Sequence, residues 1–211
     1  MNKCVIVANG DLSALDLLKA HCLEADMIIG VDGGIRGLNE IGVEPTLMIG
    51  DFDSAHKDLL EEYTLKGVPL KSFPSRKDST DSELAIDYAI GLGPKELLLF
   101  GMTGKRLDHG LTNIHMLKRV PQDIKACIID AYNEIYYSNK NFELKGYTGR
   151  NLSIIPISSE LEGIETQGLE YPLVDETLYY HGSRGVSNVI LDDYIRITVK
   201  KGDYFIIISK D

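Results

Sequence analysis

The chain has 211 residues, 22 of them Lys or Arg and 32 Asp or Glu, for a formal net charge of −10 at pH 7. That acidic excess is net −5 in each of 1–120 and 121–211; it excludes a non-specific nucleic-acid binder, which needs a basic face to displace phosphate counterions, and a polybasic membrane anchor. Hydrophobic residues make up an ordinary 44%, which excludes a disordered chain, and at about 150 residues per domain one large or two small domains are expected.

The chain opens with Cys4–Ala8, an apolar run of five residues before Asn9. It is too short for a signal peptide, and no apolar run approaches the roughly 20 residues of a membrane-spanning helix. Cys4, Cys22 and Cys127 are odd in number, form no CxxC pair and lie in apolar stretches. They read as buried thiols of a reducing compartment, so a cytoplasmic protein is expected.

Further short apolar runs follow at Met27–Val31, Leu47–Ile49, Val68–Phe73, Leu97–Phe100 and Ala126–Ile129. Bounded by Gly, Pro or Asp, they read as buried parallel strands. Helical patterns lie between them: Leu15, Leu18 and Cys22 on one face, Leu84, Tyr88 and Leu92 beside Ala85 and Ala89 on another, and a third beginning at Ile114, Leu117 and Lys118. Alternating strand and helix predicts an α/β fold, an αβα domain around a parallel sheet, over 1–131. Its first strand-to-helix turn, Asn9-Gly10-Asp11, lacks GxGxxG, so a dinucleotide site is not supported.

After Asp130 helical periodicity stops. Short Ile-, Val- and Tyr-rich segments follow at Glu134–Ser138, Leu152–Ile157, Thr177–Tyr180, Val186–Leu191, Tyr194–Val199 and Tyr204–Ser209. Asp192-Asp193 and Lys201-Gly202-Asp203 read as hairpin turns, and 132–211 as an antiparallel β-sandwich domain. At about 80 residues its core is marginal alone.

Four clusters carry chemistry. Val31-Asp32-Gly33-Gly34 ends the second strand, with Asp32 placed for a ribose hydroxyl or as a helix cap. Gly50-Asp51-Phe52-Asp53-Ser54 follows the third. On an extended chain Asp51 and Asp53 point the same way, at the carboxyl end of a parallel strand where such sheets bind ligands. Paired carboxylates suit a hard cation such as Mg²⁺; the other reading is a polar loop with Asp53 or Ser54 capping a helix. In Lys77-Asp78-Ser79-Thr80-Asp81-Ser82-Glu83, Thr80 and Glu83 form a capping box that starts a helix near Asp81. The helix dipole accounts for Asp81 better than for Asp78, which lies outside the helix. Gly101-Met102-Thr103-Gly104-Lys105-Arg106-Leu107-Asp108-His109-Gly110 is too tightly spaced for a P-loop. It reads as a phosphate cradle at a helix start or as a glycine-rich turn with solvated cations. Zinc spacing, GxSxG, HExxH and EF-hand patterns are absent from the sequence.

Taken in order, Val31–Gly34, Gly50–Ser54, Lys77–Ala85, Gly104–His109 and Ser183–Asn188 resemble the thiamine pyrophosphokinase family across nearly the whole chain. The resemblance implies pyrophosphoryl transfer from ATP to the hydroxyl of thiamine. It implies an ATP-binding catalytic domain over 1–131, and a thiamine-binding and dimerisation domain over 132–211. The implied partners are ATP, thiamine and a second copy of the chain, with sites at the subunit interface. Asp51, Asp53, Asp78 and Asp81 would then be catalytic and hold Mg²⁺. Asp32, Gly33, Gly34, Gly104, Lys105, Arg106, Asp108 and His109 would bind ATP. Asp81, Ser187 and Asn188 would face thiamine. Some members stack a Trp on thiamine; this chain has none, and Tyr171 or another aromatic would take its place. Three rivals stand beside this reading: a haloacid-dehalogenase-like phosphatase using the Asp51–Asp53 motif, a non-catalytic nucleotide-binding module, and a pyrophosphokinase for another alcohol such as a pterin.

Overall fold

The apolar runs of the first 131 residues are strands in the computed structural model, which describes residues 1–52, 57–72 and 78–210. By its internal contacts the chain divides into two units, Met1–Ala131 and Tyr132–Asp211. In the first unit, β1 (Lys3–Val7), α1 (Leu15–Leu23), β2 (Met27–Val31), α2 (Gly34–Glu40), β3 (Leu47–Gly50) and α3 (Lys57–Leu65) alternate. They are followed by β4 (Leu70–Ser72), α4 (Asp81–Leu92), β5 (Glu96–Phe100), α5 (Leu107–Met116) and β6 (Lys125–Ile129).

These strands lie in the order β6-β5-β1-β2-β3-β4, every neighbouring pair parallel. The four residues Cys4–Val7 of β1 and the four residues Leu97–Phe100 of β5 are buried throughout, as strands covered on both faces must be. β4 departs from expectation. All three of its side chains are exposed, because it is the edge strand of this order, and Lys71 lays its Nζ over the Tyr88 ring at 4.7 Å.

Thr80 starts α4 as predicted: it is extended at φ −74° and ψ 158°, and its Oγ1 accepts from Glu83 N at 3.2 Å. The Glu83 carboxylate reaches Arg119 at 3.2 Å. Gly93 ends the helix in the left-handed conformation at φ 62°. The buried face of α4 is Ala85, Ile86 and Ala89, rotated from the predicted Leu84–Tyr88–Leu92 face. Small residues let α4 lie close across β1, β2 and β3. In α5 the buried residues are Gly110, Asn113 and Met116, and Lys118 beyond it is exposed.

The second unit holds two antiparallel sheets. One has the order β12 (Asn188–Val189), β9 (Asn151–Pro156), β14 (Tyr204–Ser209), β7 (Asn133–Ser138). The other runs β11 (Glu176–Tyr179), β10 (Glu160–Gln167), β13 (Tyr194–Thr198), β8 (Phe142–Lys145). Alternate residues are buried, Leu152 and Ile154 in β9 and Ile195 and Ile197 in β13, which is the β-sandwich pattern. Neither predicted hairpin turn is one. Asp192-Asp193 joins β12 to β13 and Lys201-Gly202-Asp203 joins β13 to β14, and each link passes from one sheet to the other. The predicted strand Val186–Leu191 shrinks to two residues because Ser187 has φ +57°. No helix among the described residues is long and apolar enough to cross a membrane.

Candidate active site

Strands β1 to β4 step outward in one direction, and β5 and β6 are added on the opposite side of β1. The order therefore reverses between β1 and β5, and open parallel sheets bind ligands outside the carboxyl ends at such a reversal. A cleft of about 1190 Å³ opens there. Its walls include the loop after β1 and the loop after β5, which are stitched together: Ala8 N donates to Phe100 O at 2.8 Å, Gly10 N to Gly101 O at 2.8 Å and Asp11 N to Thr103 O at 2.7 Å. Gly10 makes this possible. A Cβ there would lie 2.1 Å from Thr103 O and 2.3 Å from Gly101 O, backbone atoms that cannot move aside. Gly10→Ala is therefore expected to cost ~1–3 kcal/mol by overpacking, read as a lower urea midpoint at unchanged slope.

Carboxylates gather at this cleft, with Asp32 and Asp81 in its lining and Asp51 clustered beside them. Asp32 at the end of β2, Asp51 after β3 and Asp81 in the first turn of α4 each offer an oxygen within 4.8 Å of the other two. All three are half-buried. At that spacing and an effective dielectric near 20, each ionised pair repels by roughly 3 kcal/mol. Asp32 feels this most. Burial, then the charges of Asp81 and Asp51, push its carboxyl up to about 6, against backbone hydrogen bonds from Phe52 and Asp51 that pull it down. Its Oδ1 is buried without a hydrogen-bond partner. Gly50 leaves room for that oxygen, since a Cβ there would sit 1.9 Å from it.

The reason offered for pairing Asp51 with Asp53 does not hold. Phe52 is not extended; it has φ +53° and buries its ring among Ile35, Met48 and Tyr63. The burial of Phe52 anchors the loop and fixes where Asp51 stands. Asp53, like Ser54 and Lys77, lies outside the described residues. Asp78 lines the cleft and is exposed, and it is not among the three clustered carboxylates. Among the described residues, the carboxylate that joins Asp51 and Asp81 is Asp32, which the sequence offered for a ribose hydroxyl, as a helix cap or as an ATP contact.

Of the remaining predicted residues, Gly104, Lys105, Arg106 and His109 line the cleft. Arg106 precedes α5 and donates from Nε to Asp108 Oδ1 at 3.1 Å and from Nη2 to Asp108 Oδ2 at 2.5 Å. The guanidinium holds the Asp108 carboxyl down at about 2. Gly33 and Gly34 act behind the wall: a Cβ on Gly34 would meet Val7 O at 2.0 Å, and one on Gly33 would meet Asn9 Oδ1 at 2.3 Å. Asn9 and Asn113 are among the lining residues that the sequence did not single out. Asn9 accepts from Arg36 Nη2 at 2.8 Å, and buried Asn113 donates to Met102 O at 2.7 Å. Asn9 lay in a turn noted only for lacking GxGxxG, and Asn113 carries no motif of its own.

The residues predicted in the second unit meet around a small cavity of about 80 Å³, lined by Tyr171, Leu173, Arg184, Ser187 and Asn188 among others. Tyr171 is exposed and Asn188 buried. Ser187 N donates to Ser153 Oγ at 3.0 Å.

Residues 18–128 match the family described as thiamin pyrophosphokinase, catalytic domain, and residues 137–203 that described as thiamin pyrophosphokinase, vitamin B1 binding domain. Thiamine pyrophosphokinase of Bacillus subtilis (strain 168) is 31% identical over 209 residues, 98% of each chain. The chain belongs to the thiamine pyrophosphokinase family. Among solved structures of that family, the Bacillus subtilis enzyme superposes with a TM-score of 0.88 at 28% identity, covering 100% of both chains. The yeast enzyme, at 17% identity, shares the fold with a TM-score of 0.83, covering 99% of this chain and 86% of that one. Membership in the thiamine pyrophosphokinase family makes the chain an enzyme of the transferase class. The relatives lend no support to a phosphatase, a non-catalytic module or a kinase for another alcohol.

Proposed function

We propose that this enzyme transfers a pyrophosphoryl group from ATP to the hydroxyl of thiamine, releasing AMP, with Mg²⁺ as its metal. On this reading residues 1–131 bind ATP and carry the chemistry, and residues 132–211 bind thiamine and form a homodimer with sites at the subunit interface. Its place is the cytoplasm, in keeping with three buried free thiols. The observation that carries the reading is the meeting of Asp32 and Asp81, with Asp51 clustered beside them, at a cleft that also presents Lys105 and Arg106.

The carboxylates fit Mg²⁺: oxygen donors, closely spaced, one of them buried without a partner. When bound, the cation would neutralise the triphosphate against these carboxylates. Asp32, Asp51 and Asp81 would hold it, with Asp53 beside them in sequence. The chain's own contribution is positioning and charge, which is what phosphoryl-type transfer requires. Gly104, Lys105, Arg106 and His109 receive the phosphates or the nucleoside, and Asp108 fixes the Arg106 guanidinium. The thiamine oxygen bonds to the β-phosphorus, the bond from that phosphorus to the α–β bridging oxygen breaks, and AMP leaves. The hydroxyl proton passes to a carboxylate. Asp81 is occupied in the cluster, which leaves Asp78 for this task. Tyr171 and Ser187 face the thiamine rings.

Purified protein with ATP, Mg²⁺ and thiamine is expected to form AMP and thiamine diphosphate in equal amounts. AMP formed equally without thiamine, or none formed with it, would end the reading. Light scattering is expected to give twice the 23.4 kDa chain mass; a fully active monomer contradicts the shared site.

A further inference from the structure

Among the described residues, buried polar side chains are few: Asn113, Ser138, Thr166 and Asn188. Two of the four are spent on one loop of the second unit, residues 168–173. Thr166 Oγ1 accepts from Leu173 N at 2.8 Å, and Thr166 N donates to Leu173 O at 3.0 Å. At the other end the loop runs antiparallel to 188–190: Leu169 bridges Ile190, and Glu170 N donates to Val189 O at 2.9 Å. The next rung is not backbone to backbone. Asn188 has its own backbone paired with Leu152 of β9, and it completes the rung with its side chain. Its Oδ1 accepts from Tyr171 N at 3.0 Å and from Val189 N at 2.9 Å, and its Nδ2 donates to Tyr171 O at 2.7 Å. A carboxamide carries the donor and acceptor of a peptide group, so the amide extends the ladder by one residue.

Three of the four bonding positions of the Asn188 amide are therefore filled by backbone, and one N–H remains. Both backbone polar groups of Tyr171 are held by that amide. Pro172 follows, which keeps Tyr171 out of the helical region. The result is a tyrosine that is 57% exposed yet has its backbone fixed on both sides. Core packing does not need such a mount, because the ring is not in the core; presentation to a ligand does.

We propose that Asn188 is a positioning residue that acts on thiamine through Tyr171, rather than a residue that contacts thiamine itself. This rests on the reading above that the Tyr171 ring is the stacking surface for thiamine. The sequence resemblance put both residues against the ligand; the hydrogen bonds give them different tasks.

The chain contains no Trp, so Tyr171→Trp introduces a single indole reporter at the site. Thiamine is expected to quench its fluorescence. Absence of quenching, together with an unchanged thiamine KM in Tyr171→Ala, removes the stacking role and with it the basis of this proposal. The proposal itself is tested by adding Asn188→Ala. Steady-state anisotropy of the indole is expected to fall, as its mount loosens, with the melting temperature reported alongside. In kinetics, Asn188→Ala and Tyr171→Ala are each expected to raise the thiamine KM about tenfold and leave the ATP KM unchanged, and the double variant to be no worse than either single one. Multiplying effects, or unchanged anisotropy with thiamine quenching intact, overturn the proposal and make Asn188 an independent contact. Asn188→Asp is the second variant: it keeps an acceptor for Tyr171 N but sets a buried carboxylate oxygen against Tyr171 O. It is expected to raise the thiamine KM at least as much as Asn188→Ala, and a wild-type thiamine KM counts against the proposal.

Discussion

Asp81→Asn is expected to lower kcat by at least ~10²-fold while leaving the fold intact, the scale seen when one preorganised charge-stabilising group is removed. The side chain keeps its shape and loses its charge. Thr80 still caps α4, since its Oγ1 bond to Glu83 N does not involve position 81. The variant loses an acid from the first helical turn, worth ~0.3–1 kcal/mol. It also relieves the repulsion that Asp81 exerts on Asp32. These effects oppose each other, so the melting temperature of the metal-free protein should change little. Two measurements decide the matter: AMP production at saturating thiamine and ATP, and Mg²⁺-dependent thermal stabilisation, which should shrink as the cation loses a donor. Turnover within about threefold of wild type would take Asp81 out of the site.

How much of this was legible in the sequence follows from where each constraint resides. The parallel strands announced themselves because burial on both faces forces continuous apolar runs such as Leu97–Phe100. The start of α4 was legible because a cap is a local contract between Thr80 and a backbone N–H three residues on. In the second unit, β8 and β10 were not foreseen. β10 spans Glu160–Gln167 with Gly163 in its middle, and its pairing with β11 slips between Leu161 and Ile164. That irregularity breaks the period of two on which a strand is recognised. The false hairpins have a different cause. Asp192-Asp193 marks a reversal of the chain, and turn chemistry does not say which sheet the next strand joins.

The site divides in the same way. The cradle loop and the Asp51 motif are contiguous segments, so their residue types could be read directly. The carboxylate cluster is tertiary. It requires β2, β3 and the start of α4 to bring three separate residues within 4.8 Å of one another. A DxD spacing pointed to Asp51 and Asp53, whereas Phe52 turns the chain at φ +53° and invalidates the extended-strand argument. Asp32 stands beside two glycines, a pattern that suits a ribose contact or a helix cap and carries no sign of a metal ligand. Its unusual backbone, φ +45°, and its partnerless Oδ1 are features that only the fold reveals.

Asp32→Asn is the sharpest test of that feature, because it should stabilise the protein while disabling it. The Asp32 carboxyl is raised from 3.8 to about 6. The folded state therefore holds a proton that the unfolded state releases between these two values. Stability is lost as pH rises through that window, and above about pH 6 the full cost of an ionised Asp32 is present. A shift of this size corresponds to roughly 3 kcal/mol, reduced to about 2 by the carboxylate's partial exposure to water. Asn carries no charge, matches the shape and tolerates positive φ better than other residues do. At pH 7.5 without metal, Asp32→Asn should raise the melting temperature by ~4–8 °C, at about 2–4 °C per kcal/mol for a chain of this length. At pH 3, below both values, the carboxyl is protonated in the folded and the unfolded state alike, so the difference should nearly vanish. With Mg²⁺ the order should reverse or close, because only the wild type gains the full stabilisation of binding. An equal loss of stability at both pH values would show that Asp32 is comfortable in the apo fold. A gain confined to neutral pH and cancelled by the cation would identify the strain as the cost of a built metal site.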